Sequence, residues 1–290
     1  MLNLNAQKGN MNGIVLVNKP AGISSNAVVN IVKRVLGAKK CGHLGTLDLE
    51  GEGLLPVTVN AGTKLFDFFL GKDKTYEAVF EFGVETDTLD LAGQVTKRQD
   101  CSITLEQVEQ VCKEMIGKYA QMPPQYSAKK VNGQVAYKAA RKGETVELKP
   151  KEIEIFSLKV LSEVGHNIFR FEISCSSGTY IRSLCRDMAQ KMSTCGVMHC
   201  ILRTRCGQFY LKNAYTLDEI KNGNFKIVPC EDVFDFAILK LDTVEAEKLL
   251  NGQTIFKKAS NGTYRLFQQN VFLGLGKVEN ELLKISLRLI

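Results

Sequence analysis

The sequence has no stretch able to cross a membrane as a helix, because no run approaches ~18 consecutive apolar residues. Its opening segment, Met1 to Met11, is polar, carries a single Lys and lacks the apolar core of an export signal, so secretion is not expected. It has no C-x-x-C pair, and its nine cysteines are an odd number. Cys195, Cys200 and Cys206 stand close enough to be weighed as zinc ligands, but their spacing fits none of the common finger or ribbon patterns. The cysteines read as reduced thiols, several of them buried, in a cytoplasmic protein. Internal repeats and low-complexity tracts are also missing. Histidine is scarce, and His166 and His199 belong to no motif and are assigned no role.

What remains is a globular chain of 290 residues, long enough for one large domain and a small one, or for two of medium size. An apolar fraction of 44% supplies a core without disulfides. The net charge of +7 favours a polyanionic partner without proving one. One basic cluster holds Lys129, Lys130, Lys138, Arg141, Lys142, Lys149 and Lys151 against only Glu144 and Glu147. A second holds Arg182, Arg186, Lys191, Arg203, Arg205 and Lys212. Charge alone leaves each cluster open between phosphate contacts and a solvated face.

The hydrophobic pattern predicts a strand from Gly13 to Val17, then a helix capped by Ser24 or Ser25 that runs to about Leu36 and stops at Gly37. A glycine-rich, charged loop from Cys41 to Gly53 leads to a strand from Leu54 to Val59 and a short helix from Lys64 to Leu70. From Thr75 to Val84 the residues alternate, with Tyr76, Ala78, Phe80 and Phe82 on one face of a half-buried strand. Thr104 and Gln107 form a capping box ahead of a helix. Pro123-Pro124 breaks the chain before the basic stretch. Two strands follow, about Glu152 to Glu163 and Asn167 to Cys175, and Gly178 leads into a helix to about Met192. Strands outnumber helices and do not interleave with them regularly, which predicts an α+β fold with a mixed, largely antiparallel sheet. A boundary between Asn222 and Pro229 separates residues 1–225 from a small β-rich domain over 226–290.

Several motifs in one order give this chain a family resemblance. Gly13-Ile-Val-Leu-Val-Asn-Lys-Pro20 with Gly22 and Ser24-Ser25 comes first, then Gly42-His43-Leu44-Gly45-Thr46-Leu47-Asp48 with Gly53-Leu54-Leu55-Pro56. Thr63-Lys64, Lys74-Thr75-Tyr76 and Gly83 with Thr86-Asp87-Thr88 follow. Pro123-Pro124-Gln125-Tyr126-Ser127-Ala128-Lys129, Val131-Asn132-Gly133, Gly178-Thr179-Tyr180-Ile181-Arg182-Ser183-Leu184 and Leu202-Arg203 complete the set. Together they resemble the TruB-type tRNA pseudouridine synthases, strongly over residues 13–215, while the tail resembles a reduced PUA-type RNA-binding domain.

The resemblance implies a pseudouridine synthase catalytic domain with an RNA-binding insertion at about 121–151. It implies an isomerase that converts uridine 55 in the T loop of tRNA to pseudouridine. That chemistry breaks the N1–C1′ bond, turns the uracil and rejoins it through C5, so it needs no redox step, no metal and no cofactor. By resemblance Asp48 is the nucleophile and Arg182 keeps it charged and oriented, in the manner of a bidentate pair. Tyr76 stacks on the flipped base and takes the C5 proton, and His43 packs where the base leaves its loop. Tyr180 and Leu202 line the pocket. Lys19, Lys64, Lys129 and Lys130 are implied RNA contacts, with the insertion folded over the T arm. The family carries Pro after its catalytic Asp, where this chain has Leu49-Glu50-Gly51-Glu52; losing Pro frees φ at residue 49, and Gly51 and Gly53 leave room to turn both glutamates outward. The expected protein is a cytoplasmic monomer that acts on bare tRNA without a protein partner or a membrane. The alternative is a catalytically weakened tRNA-binding chaperone of the same fold.

Overall fold

The structure, a computed structural model, describes residues 11–126, 130–131, 134–135 and 147–290. Its first part contains β1 (Gly13–Lys19), α1 (Ser25–Leu36), β2 (Cys41–His43), β3 (Glu52–Val59), α2 (Phe66–Leu70), β4 (Lys74–Phe82), β5 (Val84–Thr86), β6 (Val95–Arg98), α3 (Leu105–Glu114) and β7 (Gly117–Gln121). Then come β8 (Lys130–Val131), β9 (Gln134–Val135), β10 (Lys151–Gly165), β11 (Ile168–Cys175), α4 (Ile181–Lys191), β12 (Gly196–Cys206), β13 (Phe209–Tyr210), α5 (Leu217–Lys221) and β14 (Val228–Pro229). The last part holds β15 (Ile238–Leu241), α6 (Thr243–Leu250), β16 (Ile255–Phe256), β17 (Gly262–Gln268), β18 (Val271–Glu279) and β19 (Leu282–Arg288).

The large sheet runs in the order β14-β1-β3-β12-β4-β11-β10-β7, with β2 on β3 and β13 on β12. All its pairings are antiparallel except β12 with β3, a joint of two register pairs, Leu202 with Glu52 and Arg203 with Gly53. This is the mixed, largely antiparallel sheet expected from the sequence. A second sheet of five strands, β15-β17-β18-β19-β16, closes the C-terminal part. The chain leaves the large sheet only after Pro229, since Val228 and Pro229 still pair with Ile14 and Gly13.

Period-two alternation sorts the side chains of β1 between two cores. Val15 and Val17 face the helical layer with Val28, Val32 and Leu36 of α1. Ile14 and Leu16 face the other way, into a cluster that includes Phe69, Phe234, Phe272 and Leu289 and joins the second sheet to the first. The α1 helix starts where Ser24 Oγ accepts from the Ala27 N–H and stops at Gly37, whose φ of 62° is left-handed. The capping box of Thr104 and Gln107 opens α3. The sequence pattern predicts no strand at β12, because His, Cys and Arg interrupt its apolar residues; one of them, Arg203, finds its partners inside, as described next.

Candidate active site

The loop that carries Asp48 joins β2 to β3 and is tied down from three directions. Ser25, beside the helix cap, donates its hydroxyl to Leu47 O at 2.9 Å and accepts from the Leu47 N–H at 3.0 Å. Lys19 Nζ and the Gly22 N–H both donate to Leu49 O, each at 3.0 Å. Arg203 donates through Nη2 to Gly45 O at 3.0 Å and through Nε to Leu54 O at 2.7 Å. These bonds replace the stiffness that a proline at position 49 would supply. Glu50 and Glu52 are exposed, as the neighbouring glycines permit. Gly53 has φ of 97°, and a Cβ there would lie 2.5 Å from Arg203 O, so the close approach of β3 to β12 requires glycine.

Behind the loop lies a cleft of about 460 Å³ whose wall includes Asp48, Tyr76, Tyr180, Ile181, Arg182 and Arg203. Arg182 stands in the first turn of α4 and is 5% exposed. Its Nη2 lies 2.9 Å from Asp48 Oδ2, while the Asp48 side chain is half open to solvent. The expected bidentate pair does not form. Nη1 donates instead to Thr88 O at 2.9 Å and faces Asp90 Oδ2 at 3.5 Å, and Nη2 also donates to Tyr126 O at 3.1 Å. Three loops meet at this guanidinium, and Nη1 is taken up by Thr88 O and Asp90.

The N-terminus of α4 has no side-chain cap of its own at Tyr180. Gln121, 1% exposed at the end of β7, takes that place. Its Oε1 accepts from the Tyr180 N–H at 2.8 Å and its Nε2 donates to Tyr180 O at 3.2 Å. One amide side chain thereby satisfies both backbone groups of a cleft residue.

Tyr76 of β4 is the register partner of Arg203 on β12, and the two side chains are hydrogen-bonded. Tyr76 is buried, and burial drives its pKa well above the ordinary phenol value.

Other expected contacts lie elsewhere. Lys19 is fully buried, its Nζ bound to Pro20 O and Leu49 O, so it braces the loop and cannot reach a substrate. Burial lowers its pKa, against the opposing pull of Glu50, Glu52 and Asp48. Lys64 is exposed and donates to Arg288 O at 2.7 Å, joining the first sheet's edge to the last strand. Leu202 points away from the cleft, packed near Gly53, because the alternation that brings Ile201 and Arg203 inward turns it out. His43 is half-buried on β2, next to the cleft residue Leu44; burial, with Arg203 nearby, holds its pKa down. Lys129 and the side chain of Lys130 lie outside the described residues, as does most of the first basic cluster. The second cluster is not one surface: Arg182 and Arg203 are buried. Among the described residues no group of His, Cys, Asp and Glu could hold a metal ion, and Cys195 and Cys206 are buried while Cys200 is exposed.

Sequence reasoning gave Gln121 no role, read Ser25 as a possible helix cap and a motif residue, Lys74 only as a motif residue, and Arg203 only as part of a motif and a charge cluster. The signal for Arg203 was its place beside Leu202 in a motif; for Gln121, its place just before the Pro-Pro break.

The fold itself has solved counterparts. An archaeal box H/ACA sRNP Nop10-Cbf5 complex contains a chain that matches with a TM-score of 0.69 at 19% identity, over 100% of this chain and 88% of that one. An H/ACA ribonucleoprotein bound to a substrate RNA containing 2'-deoxyuridine matches with a TM-score of 0.67 at 19% identity, over 96% and 85%. The class is that of the pseudouridine synthases, isomerases by reaction. Within it the chain belongs to the TruB family: the model of the TruB family pseudouridylate synthase N-terminal domain matches residues 33–181, and that of the pseudouridine synthase II TruB C-terminal region matches 237–290. The tRNA pseudouridine synthase B of Caldanaerobacter subterraneus subsp. tengcongensis is 36% identical over 93% of this chain and 96% of its own length. That of Aquifex aeolicus is 36% identical over 94% and 98%. That of Rickettsia africae is 42% identical over 79% and 68%.

Proposed function

We propose that this chain converts uridine 55 in the T loop of tRNA to pseudouridine, with Asp48 as the nucleophile. The observation that carries the reading is the Asp48–Arg182 pair, 2.9 Å apart, with the guanidinium buried and the carboxylate open to the cleft. A guanidinium held by several loops aims the carboxylate, which is what attack on a flipped nucleotide requires. The names of the TruB relatives supply tRNA as the substrate.

The reaction is balanced without a partner reagent. Asp48 attacks C1′ as the N1–C1′ bond breaks, the freed uracil turns, C5 bonds to C1′ as the Asp48–C1′ bond breaks, and the C5 proton passes to water while N1 takes up a proton. Tyr76 offers a neutral ring on which the detached base can stack, and Tyr180 forms part of the facing wall. The basic insertion supplies phosphate contacts to the T arm. No cofactor, membrane or protein partner enters the scheme, and the working unit is a cytoplasmic monomer.

Tritium release from tRNA labelled at uracil C5 tests the proposal. Release from an unmodified transcript is expected, with none when cytidine replaces the target uridine. Tight binding with no release from either transcript would favour the chaperone reading instead.

A further inference from the structure

The cleft is electrically lopsided. On one side Arg182 faces two carboxylates, Asp48 and Asp90. On the other, Lys74, Lys151 and Arg203 line the wall, and none forms an ion pair with any described residue. Lys74 is 7% exposed; its Nζ donates to Lys72 O at 2.8 Å and Ser177 Oγ at 3.3 Å. Lys151 Nζ donates to Ser177 O at 3.1 Å. Two ammonium groups therefore grip one serine from its hydroxyl and its carbonyl, and each retains a proton to give. Gly178 in this loop has φ of 84°, a left-handed conformation that favours glycine.

Arg203 does not relieve this excess. It is fully buried, and its partners are the carbonyls of Leu54, Gly45 and Thr46 and the Tyr76 side chain, all neutral. Burial lowers the pKa of Lys74; Cys206 opposes this, Arg203 adds a smaller lowering, and Cys175 and Asp73 oppose it more weakly. Lys74 and Arg203 are buried without a carboxylate in contact, an arrangement that costs free energy, and an anion bound beside them relieves that cost.

We propose that Lys74 and Lys151, with the Ser177–Thr179 loop, form a subsite for one of the two phosphodiesters flanking the flipped uridine. The assignment rests on the functional reading above and adds to it where the reacting nucleotide's own backbone is held. Uracil and ribose are neutral, so the backbone phosphate is the anion that an RNA nucleotide brings to the cleft. Two ammonium groups beside one loop match its two non-bridging oxygens, and charge-assisted bonds of this kind position a substrate without reading its sequence. A phosphate fixed there would set the depth to which the nucleotide enters, and with it the approach of Asp48.

The test uses a T-arm hairpin RNA with a single neutral methylphosphonate at either linkage flanking the target uridine. Wild-type protein is expected to bind one of the two neutral RNAs about tenfold or more weakly than the native hairpin. Lys74→Met and Lys151→Met are expected to bind the native hairpin more weakly and to lose less than twofold further on the neutral linkage. Lys151 is exposed, so its variant folds without the packing risk that attends Lys74, and the RNA substitution needs no variant at all. Equal wild-type affinity for all three RNAs overturns the subsite; so does a methylphosphonate penalty as large in both lysine variants as in wild type. These are binding measurements, so wild-type protein that binds but releases no tritium would refute the functional reading while leaving the phosphate assignment to be decided by the affinities.

Discussion

Arg182 meets Asp48 through a single nitrogen, Nη2 to Oδ2 at 2.9 Å, and gives its remaining contacts to Thr88 O, Asp90 and Tyr126 O. The guanidinium is thus a junction between the loop that carries Asp48, the loop after β5 and the segment after β7.

Lysine cannot serve as that junction. Its one ammonium lacks the planar fork and would leave buried carbonyls of Thr88 or Tyr126 without a donor. Arg182→Lys is expected to lower the single-turnover rate at least tenfold, with tRNA affinity within a few-fold of wild type. Weaker binding with a normal rate at saturating protein would mean that Arg182 acts as a phosphate contact.

Asp48→Asn preserves shape and removes charge. No detectable product is expected, and tRNA affinity should stay within a few-fold, since the loop is also held through backbone groups of Gly45, Leu47 and Leu49. Turnover at a tenth of the wild-type rate would move the nucleophile elsewhere, with Glu50 the first residue to examine.

Gln121→Leu keeps the volume nearly constant but strips the N–H and C=O of Tyr180 of their side-chain partners. The C=O still accepts from the Leu184 N–H, so the loss falls on the N–H, and removing the partner of a partly buried donor costs about 1–3 kcal/mol. A clear fall in the urea midpoint is expected, together with a slower single-turnover rate, because α4 carries both Tyr180 and Arg182. A variant with the wild-type midpoint and rate would show that water caps the helix equally well.

If the basic insertion contacts phosphates, tRNA affinity should fall steeply with salt. Lys129→Ala combined with Lys130→Ala is then expected to flatten the log–log slope by about one unit per contact removed, or slightly less. An unchanged slope would identify that stretch as a solvated face.

The sequence by itself determined the features that depend on local periodicity and on short motifs. Alternation from Thr75 to Val84 placed Tyr76 inward, Thr104 and Gln107 marked a helix start, and the ordered motifs put Asp48 and Arg182 in one family pattern. Only the tertiary structure decided which charged residues are buried and what they hold. Lys19 and Arg203 carry the same letters as surface residues, yet both are fully buried, because carbonyls distant in sequence, Leu49 O for one and Gly45 O and Leu54 O for the other, converge on them. The same holds for Ser25, which reads as a helix cap until Leu47 is seen against it, and for Leu202, whose direction follows from strand register. Burial of a polar side chain depends on partners that no local window contains, so its role became legible only once the sheet had brought those partners together.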